Sequence, residues 1–260
     1  MSRNIKLTIA YDGTDYCGWQ RQPDHLQDKW SGSINIKTIQ GVIENALEKL
    51  HGKQVNLTGS GRTDSGVHAV GQIANFCTDM DSIPADRFVP TLNSLLPHDI
   101  RILNSCEVNS DFHSRFSAKM RTYRYQFICR TILPHENRHN LQLNRKPSLN
   151  ILNAYGRLLH GEIDCSIFAG AGDRAIIEGK SRNRYIYRAC FYMENSRLIF
   201  EICANAFLRS MVRSVAGTFL HYEETATPVE KLREIIASGD RSLAGPTLPP
   251  QGLFLWHVDY

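Results

Sequence analysis

The sequence predicts an α+β fold made of two similar halves, each with a mixed, mainly antiparallel sheet. The order strand, helix, strand, strand, helix, strand occurs in residues 1–109 and again in residues 110–260. This is the ferredoxin-like order, and 260 residues with 42% hydrophobic content are enough for two buried cores. We therefore expect one domain over 1–109 and a second over 110–260, which resemble each other in element order alone.

The first half owes its predicted order to apolar alternation and to helix-capping signals. Residues Ile5–Tyr11 alternate between apolar and polar, which indicates a strand. A helix follows, with Thr38 as its N-cap, apolar residues at helical spacing and a stop at Gly52. The remaining elements are strands at 54–60 and 68–78, a helix at 84–97 that Pro90 breaks or kinks, and a strand at 99–109.

The second half repeats this order after Asp111. The predicted elements are strands at 120–129, 184–193, 197–205 and 252–260, and helices at 149–160 and 206–222. A further helix is predicted to start at a capping box that runs from Thr227 to Glu230. Three stretches without a predicted core role, 23–37, 130–147 and 170–182, are interpreted as loops.

Cysteine spacing and hydropathy restrict the class of protein. The seven cysteines are far apart and form no C-x-x-C pair, which argues for reduced thiols and against a zinc site or a disulfide framework. No apolar run approaches the length of about 18 residues that a membrane helix needs. We therefore expect a soluble, cytoplasmic protein without a bound metal.

Positive charge is concentrated in the middle of the chain. Residues 113–213 hold 17 basic and 7 acidic side chains, and tyrosines are interleaved with them. Such a segment fits a polyanion such as RNA, although two arginine-rich amphipathic strands would give the same pattern. The candidate RNA-binding residues are Arg115, Lys119, Arg121, Arg124, Arg182, Arg184 and Arg188.

The stretch "GSGRTDSGVHAVGQ", residues 59–72, is the candidate for chemistry. It lacks the spacing of a dinucleotide-binding loop, of a P-loop and of a G-x-S-x-G nucleophile elbow. The letters "TDSG" match an aspartic-protease loop, which needs a second carboxylate, and they also match an ordinary turn. In favour of a site, Arg62 lies two residues from Asp64 and can keep its carboxylate ionised. The glycines at 59, 61 and 66 would allow another backbone or a ligand to approach.

The same stretch resembles the signature G-x-G-R-T-D-x-G-V-H-A-x-G-Q of the TruA-type tRNA pseudouridine synthases. Further blocks resemble this family in the same order along nearly the whole chain. They are "YDGTDYCGWQRQ" (11–22), "IQGVIENAL" (39–47), "LNSLLPHDIRI" (92–102), "FHSRFSAKMRTYRYQF" (112–127), "NAFLRSMVRSVAG" (205–217) and "GLFLWHVDY" (252–260). Residues 24–37 look like an insertion, and Ile163 and Cys165 stand where family members have histidine and phenylalanine.

The resemblance implies a pseudouridine synthase fold with the active site in a central cleft between two ferredoxin-like halves. It implies isomerisation of uridine to pseudouridine at positions 38, 39 and 40 of the tRNA anticodon stem-loop, without a cofactor. Asp64 would be the nucleophile and Arg213 its ionic partner. Tyr123 would stack on the uracil, and Arg62 would help to extrude the target nucleotide.

The family also implies a homodimer that binds tRNA across both subunits. By contrast, we expect His68 to be a hydrogen-bonding residue of its strand rather than a catalytic one. Two alternatives from other classes remain open at this point. One is a catalytically silent RNA-binding protein of the same fold, and the other is an aspartic hydrolase.

Overall fold

The structure is a computed structural model that describes residues 2–21, 37–170, 172–173 and 177–260. The interpretation of residues 24–37 as an insertion therefore falls, except for Lys37, outside the described residues. The chain divides into two units, the first comprising Met1–Lys119 with Leu255–Tyr260 and the second Met120–Phe254. Residues 110–119 and the last six residues thus belong with the first unit, whereas the sequence placed them in the second half.

Among its described residues, the first unit contains four strands and two α-helices ahead of its C-terminal segment. They are β1 (Arg3–Tyr11), α1 (Ile39–His51), β2 (Thr58–Gly59), β3 (His68–Thr78), α2 (Phe88–Leu95) and β4 (Ile100–Val108). Strand β1 lies between β3 and β4, β2 pairs with β3, and all these pairings are antiparallel. This arrangement is the predicted ferredoxin-like order.

The helices of the first unit cover one face of this sheet because their apolar stripes are buried. Ile39, Ile43 and Leu47 of α1 are fully buried, and the ring of Phe88 in α2 meets Phe76 of β3 edge to face at 5.3 Å. The predicted N-cap is confirmed, since the Thr38 side chain accepts a hydrogen bond from Gly41 N.

Two predicted elements of the first unit differ from the structure. Only Thr58–Gly59 of the predicted strand 54–60 pairs with a neighbour. The predicted helix 84–97 is a 3₁₀ turn over Ala85–Arg87 followed by α2. Pro90 neither breaks nor kinks α2, because it lies in the first turn, where a backbone N–H has no partner within the helix.

The second unit repeats the plan with added short strands. Its elements are β5 (Met120–Ile128), β6 (Leu141–Gln142), α3 (Leu149–Arg157), β7 (Gly161–Asp164), β8 (Asn183–Glu194), β9 (Arg197–Ala204), α4 (Met211–Glu224) and α5 (Val229–Ser238). The main strands follow the order β5-β9-β8-β7 with antiparallel pairing, and the parallel pairing of β6 with β5 makes the sheet mixed. A last strand, β10 (Leu253–Asp259), is divided between the two units.

Both helix starts near the C-terminus differ from the sequence prediction. Helix α4 begins at Met211 rather than residue 206, because Ser210 has a left-handed φ of 57° that no helix interior accommodates. Helix α5 begins at Val229, after Pro228, and has no side-chain N-cap. The predicted capping box is therefore wrong, and the Thr227 hydroxyl instead lies 2.9 Å from that of Thr225. Within the described part of the chain, none of the helices combines the length and apolar character needed to cross a bilayer.

Candidate active site

The loop between β2 and β3 carries Arg62 and Asp64. Arg62 is exposed and Asp64 is half-buried, so both side chains reach the surface of the first unit. The chain turns sharply after Asp64, with the Val67 N–H bonded to the Asp64 carbonyl at 3.1 Å. Gly66 inside this turn has a φ of 78°, a conformation that glycine adopts without strain.

A buried glutamine fixes the start of this loop. The amide of Gln72, which has no exposed surface, accepts a hydrogen bond from the Ser60 hydroxyl at 2.7 Å and donates one to the Gly61 carbonyl at 2.9 Å. The Ser60 N–H is also bonded to the Ile73 carbonyl at 2.7 Å. Both polar ends of one buried amide are thus used to hold two consecutive loop residues.

Residues 16–19 hold the middle of the loop. The Trp19 N–H is bonded to the Thr63 carbonyl at 3.1 Å, and the Tyr16 carbonyl accepts from the Ser65 hydroxyl at 3.0 Å. The Tyr11 hydroxyl lies 2.9 Å from that of Thr63. Because Thr63 and Ser65 flank Asp64 on either side, these bonds fix the backbone from which the carboxylate projects.

Two glycines allow these segments to approach each other. A Cβ on Gly18 would lie 2.7 Å from the Thr63 carbonyl oxygen, and Gly18 also has a left-handed φ of 86°. A Cβ on Gly59 would lie 2.5 Å from Nε1 of the buried Trp19. The glycines of the loop and its neighbour therefore serve close packing of backbone against backbone and indole.

His68 is a hydrogen-bonding residue of β3, as predicted. It has no exposed surface, and its Nδ1 accepts from the Gly13 N–H at 3.1 Å. Asp12 Oδ1 lies 3.2 Å from the same Nδ1. The same Oδ1 accepts from the backbone N–H and the hydroxyl of Thr14. Asp12 therefore closes a turn next to the histidine.

Tyr123 lies in the middle of β5 in the second unit, opposite Ile202 of β9. Only 8% of its surface is exposed, and its ring meets Phe207 edge to face with centroids 5.0 Å apart. Burial and this aromatic contact restrict the ring to one orientation. The neighbouring Tyr125 is fully buried, and burial raises the pKa of its hydroxyl above the ordinary range.

Arg213 lies in the first turn of α4 and is bonded to the segment that follows α5. Its Nε donates to the Leu248 carbonyl at 2.6 Å, and its own carbonyl accepts from the Leu248 N–H at 3.4 Å. Leu248 thus bonds both the side chain and the backbone of Arg213, which restricts the orientation of the guanidinium. Arg213 also lines a pocket of about 700 Å³ within the second unit, together with Gly170, Ser210, Arg241 and Thr247.

The candidate RNA-binding residues differ in exposure and in partners. Arg115, Lys119, Arg182 and Arg188 are exposed, and Arg184 is half-buried with its Nη1 bonded to two backbone carbonyls. Arg124 and Arg188 both pair with the buried Glu201, which offsets part of their charge. Arg121 is only 9% exposed and donates to the Asn205 carbonyl at 2.7 Å. Its geometry fits support of β9 better than contact with a phosphate.

The two substituted positions, Ile163 and Cys165, lie in the second unit, where Cys165 is buried and Ile163 is half-buried. Cys165 is fully buried beside Ile167 and Phe168, which are also fully buried. Burial raises the pKa of the Cys165 thiol to about 12, so this cysteine stays protonated and apolar in character. Ile163 lies on β7, opposite Arg184 of β8. The cysteine that replaces phenylalanine therefore acts as a small core residue.

Sequence reasoning missed the residues that support the loop. Gln72, Tyr16 and Trp19 lie within the stretches that carry the family resemblance, yet none bears a group that suggests catalysis. A signal was present, because Gln72 and Asn75 place two amides among the apolar residues of this strand. A buried amide in such a strand needs a partner, and the partner here is the loop.

The α+β fold and the loop that carries Arg62 and Asp64 can be compared with known proteins. A family model described as tRNA pseudouridine synthase matches residues 7–117 and 157–260. The chain therefore belongs to the tRNA pseudouridine synthase family, a family of isomerases. The predicted family, the enzyme class and the α+β fold class are confirmed, and the aspartic-hydrolase alternative is wrong.

Curated relatives agree over nearly the full length. A protein of Treponema denticola named tRNA pseudouridine synthase A is 48% identical over 99% of this chain and 93% of its own length. Proteins with the same name from Caldicellulosiruptor saccharolyticus and Clostridium acetobutylicum are 42% and 37% identical over 99% of this chain and the whole of their own lengths. The alignments include the loop of Asp64, and also Tyr123, which lies between the two segments that the family model matches.

Proposed function

We propose that the protein converts uridine to pseudouridine in tRNA, at positions 38, 39 and 40 of the anticodon stem-loop. The tRNA and the uridine chemistry follow from the family and from the name that the relatives share. The three positions follow from the TruA-type signature over residues 59–72. Positions in a loop or at a stem end suit the reaction, because extruding an unpaired or terminal base costs least.

The reaction breaks the N1–C1′ bond of uridine and forms a C5–C1′ bond after the detached uracil has turned. The hydrogen on C5 leaves as a proton, and N1 carries a proton in the product. Substrate and product are isomers, so no electron acceptor, donor or group carrier is needed. The protein must hold the base during its turn, supply a nucleophile and move one proton.

The observation that supports Asp64 as the nucleophile is the way its loop is held. Gln72 bonds the loop before Asp64, and residues 11–19 bond Thr63 and Ser65 on either side of it. Asp64 itself is half-buried, so the residue is partly accessible while the backbone on either side of it is held. A nucleophile that must meet one carbon needs this kind of fixed position. Attack at C1′ and attack at C6 of the ring both suit this placement.

We assign the other roles by their match to the family blocks. Tyr123 stacks on the uracil and accepts the C5 proton, for which its buried, oriented ring is suited. Arg213 is assigned as the ionic partner of the Asp64 carboxylate, and its Nε bond to Leu248 restricts the guanidinium. Arg62, exposed two residues before Asp64, fills the space of the extruded nucleotide.

The exposed basic residues of the segment 113–213 bind the phosphates of the tRNA. We further propose that the protein is a cytoplasmic homodimer. All seven cysteines are free thiols, which suits a reducing compartment. The homodimer follows from the family resemblance.

Release of tritium from tRNA labelled at C5 of uridine tests the proposal. Asp64→Asn keeps the size of the side chain but removes the nucleophile, so we expect release to fall at least roughly 10³-fold. Binding of tRNA should persist, since the phosphate contacts are untouched. Asp86→Asn, at an exposed aspartate of the same unit, is the matched control and should retain full activity.

Two outcomes contradict the proposal. Continued release by Asp64→Asn would show that another group is the nucleophile. Binding of tRNA by the unsubstituted protein without any release of label would favour the catalytically silent RNA-binding protein instead.

A further inference from the structure

Phe116 is a large apolar side chain that the first unit displays rather than buries. It is 77% exposed, the highest value among the exposed large hydrophobic residues that the structure describes. The ring stacks on His113 with centroids 4.3 Å apart and planes 30° apart. The exposed part of this ring is apolar surface that a partner could cover with a gain in free energy.

The loop that carries Phe116 is anchored to the strand that leads to Asp64. Ser114 is fully buried, its N–H is bonded to Asn75 Oδ1 at 2.9 Å, and its hydroxyl donates to the Thr58 carbonyl at 2.5 Å. The Tyr260 hydroxyl donates to the Ser114 carbonyl at 2.7 Å. Thr58 opens β2, which runs directly into the loop of Asp64. The displayed ring and the candidate nucleophile thus share one support.

Hydrogen bonds within the turn fix the two stacked rings. His113 Nδ1 accepts from the N–H groups of Arg115 at 3.2 Å and of Phe116 at 3.3 Å. Two donors need the lone pair of Nδ1, so the proton of the neutral imidazole is on Nε2. The Ser117 hydroxyl accepts from the His113 N–H at 3.1 Å, and the Ser117 N–H is bonded to the His113 carbonyl at 2.9 Å.

The surroundings of the ring are cationic. The guanidinium carbon of Arg115 lies 5.7 Å from the Phe116 ring centroid, and Lys119 is exposed three residues further on. Residues 112–119 contain no acidic side chain. A rigid aromatic surface beside positive charge is the combination by which proteins bind unpaired nucleotides, with the rings stacking on bases and the cations contacting phosphates.

We propose that the Phe116–His113 pair is a stacking site for an unpaired base of the RNA substrate, next to the nucleotide that is modified. The inference rests on the proposed function, since it takes tRNA as the ligand. A base in a helix has both faces covered by its neighbours, whereas a base in the anticodon loop can turn one face to the protein. The site would hold the loop while the target uridine is extruded.

Equilibrium binding of a fluorescently labelled tRNA transcript to Phe116 variants tests this proposal. Phe116→Ala should weaken binding roughly 5- to 100-fold, the range for loss of one base–aromatic stack. Phe116→Tyr, which keeps the ring, should bind within about twofold of the unsubstituted protein. Phe116→Leu keeps an apolar side chain but loses the aromatic face, so it should resemble Phe116→Ala. Leu103→Ala, which removes another exposed apolar side chain of the same unit, is the matched control.

Salt dependence and oligomeric state separate base stacking from phosphate contacts and from self-association. A stacking contact releases no counterion, so Phe116→Ala should leave the slope of log K against log salt unchanged, whereas Arg115→Ala should make it shallower. If Phe116→Leu binds tRNA as well as Phe116→Tyr does, stacking is wrong. If Phe116→Ala changes the oligomeric state in sedimentation, the ring contacts a second copy of the chain and the proposal also fails.

The outcome is distinguishable from that of the proposed function. Full binding by Phe116→Ala together with normal tritium release by the unsubstituted protein would overturn the stacking site alone. Absence of release by the unsubstituted protein would overturn the proposed function, while the binding series would still decide whether Phe116 stacks on RNA.

Discussion

A single buried side chain, Gln72, determines where the loop of Asp64 begins. Its amide bonds Ser60 and Gly61 at the same time and has no exposed surface. An amide in this position cannot be replaced by a side chain of similar size without leaving two loop groups without their partners. The role of Gln72 is one of positioning, because its bonds are to the backbone and hydroxyl of the loop.

Replacing Gln72 should therefore affect turnover more than binding. We expect Gln72→Leu to lower kcat for pseudouridine formation roughly 10- to 100-fold with KM for tRNA within about threefold, because a shift of about 1 Å in a reactive group has this effect. The free energy of unfolding should fall by about 1–3 kcal/mol from the unpaired groups. Steady-state kinetics and urea denaturation measure the two effects.

Ser60→Ala is the control for the Gln72 experiment. It removes one of the two bonds of the amide and leaves the bond to Gly61, so its effect on kcat should be smaller. Equal loss of kcat and of tRNA affinity in Gln72→Leu would contradict a positioning role.

At this scale the sequence indicated the candidate reactive residues, which remain a prediction, but not the residues that support their loop. Asp64 and Arg62 could be singled out because a charged pair among glycines is unusual in a turn. Gln72 and Trp19 could not, because their function depends on contacts with Gly61, Thr63 and Gly59 that arise only when β1, β3 and the loops between them are packed. Residue order alone contains no measure of such distances.

Helix α4 positions Arg213 through its close contact with the segment from Gly245 to Leu248. The Gly245 N–H is bonded to the Thr218 hydroxyl at 3.0 Å, and a Cβ on Gly217 would overlap the Pro246 carbonyl oxygen. The same Cβ would lie 3.2 Å from Cγ of Leu248. The Leu248 carbonyl accepts from Arg213 Nε, and the Leu248 N–H donates to the Arg213 carbonyl. The helix and this segment therefore pack as one piece.

Enlarging Gly217 should separate the helix from that segment. We expect Gly217→Ala to lower the free energy of unfolding by about 1–3 kcal/mol, the usual cost of overpacking, and to lower kcat as Leu248 moves away from Arg213. Thermal denaturation and single-turnover kinetics measure these effects. Gly41→Ala in α1, where the added Cβ meets only the Thr38 hydroxyl at 3.0 Å, is the control. If Gly217→Ala left the free energy of unfolding unchanged, the segment from Gly245 to Leu248 would be able to move aside without cost, and the close packing would not be needed.

The elements that sequence periodicity predicted well are those with local signals. Thr38 and Gly52 mark the ends of α1 correctly, because capping depends on residues adjacent in the chain. The predicted start of α4 was wrong because that start depends on a tertiary contact, whereas α5 lacks its predicted capping box because the Thr227 hydroxyl lies next to that of Thr225. The Arg209 N–H is bonded to Asp173 Oδ2 at 2.5 Å, which holds the chain out of the helix just before Ser210. Asp173 and Arg209 are 36 residues apart, so a local sequence pattern cannot predict that bond.

Across the whole molecule, charge is the property most relevant to the substrate. In the basic segment 113–213, basic side chains outnumber acidic ones, which is not the case in the remainder of the chain. Part of this positive charge is paired within the protein, since Arg124 and Arg188 both form ion pairs with Glu201. In addition, Arg121 donates a hydrogen bond to the Asn205 carbonyl. Composition could predict a basic surface, but only the packed strands show which cations remain exposed.

Binding of tRNA should weaken steeply with salt, because phosphate contacts displace counterions. We expect log K to fall linearly with log salt, and Arg182→Gln should make the slope shallower by roughly 0.7–0.9, the value for one phosphate contact. Arg87→Gln, an exposed arginine of the first unit outside the basic segment, should leave the slope unchanged. A slope near zero for the unsubstituted protein would remove phosphate contacts from the proposed binding mode.

The membership of Leu255–Tyr260 in the first unit has a consequence for biosynthesis. The Lys119 N–H is bonded to the Asp259 carbonyl at 2.8 Å, and the Tyr260 hydroxyl secures the turn at Ser114. A ribosome synthesises these residues long after strands β1 to β4, which end at Val108. The nascent N-terminal portion therefore has to wait, with one edge of its sheet incomplete, until translation of this segment has finished.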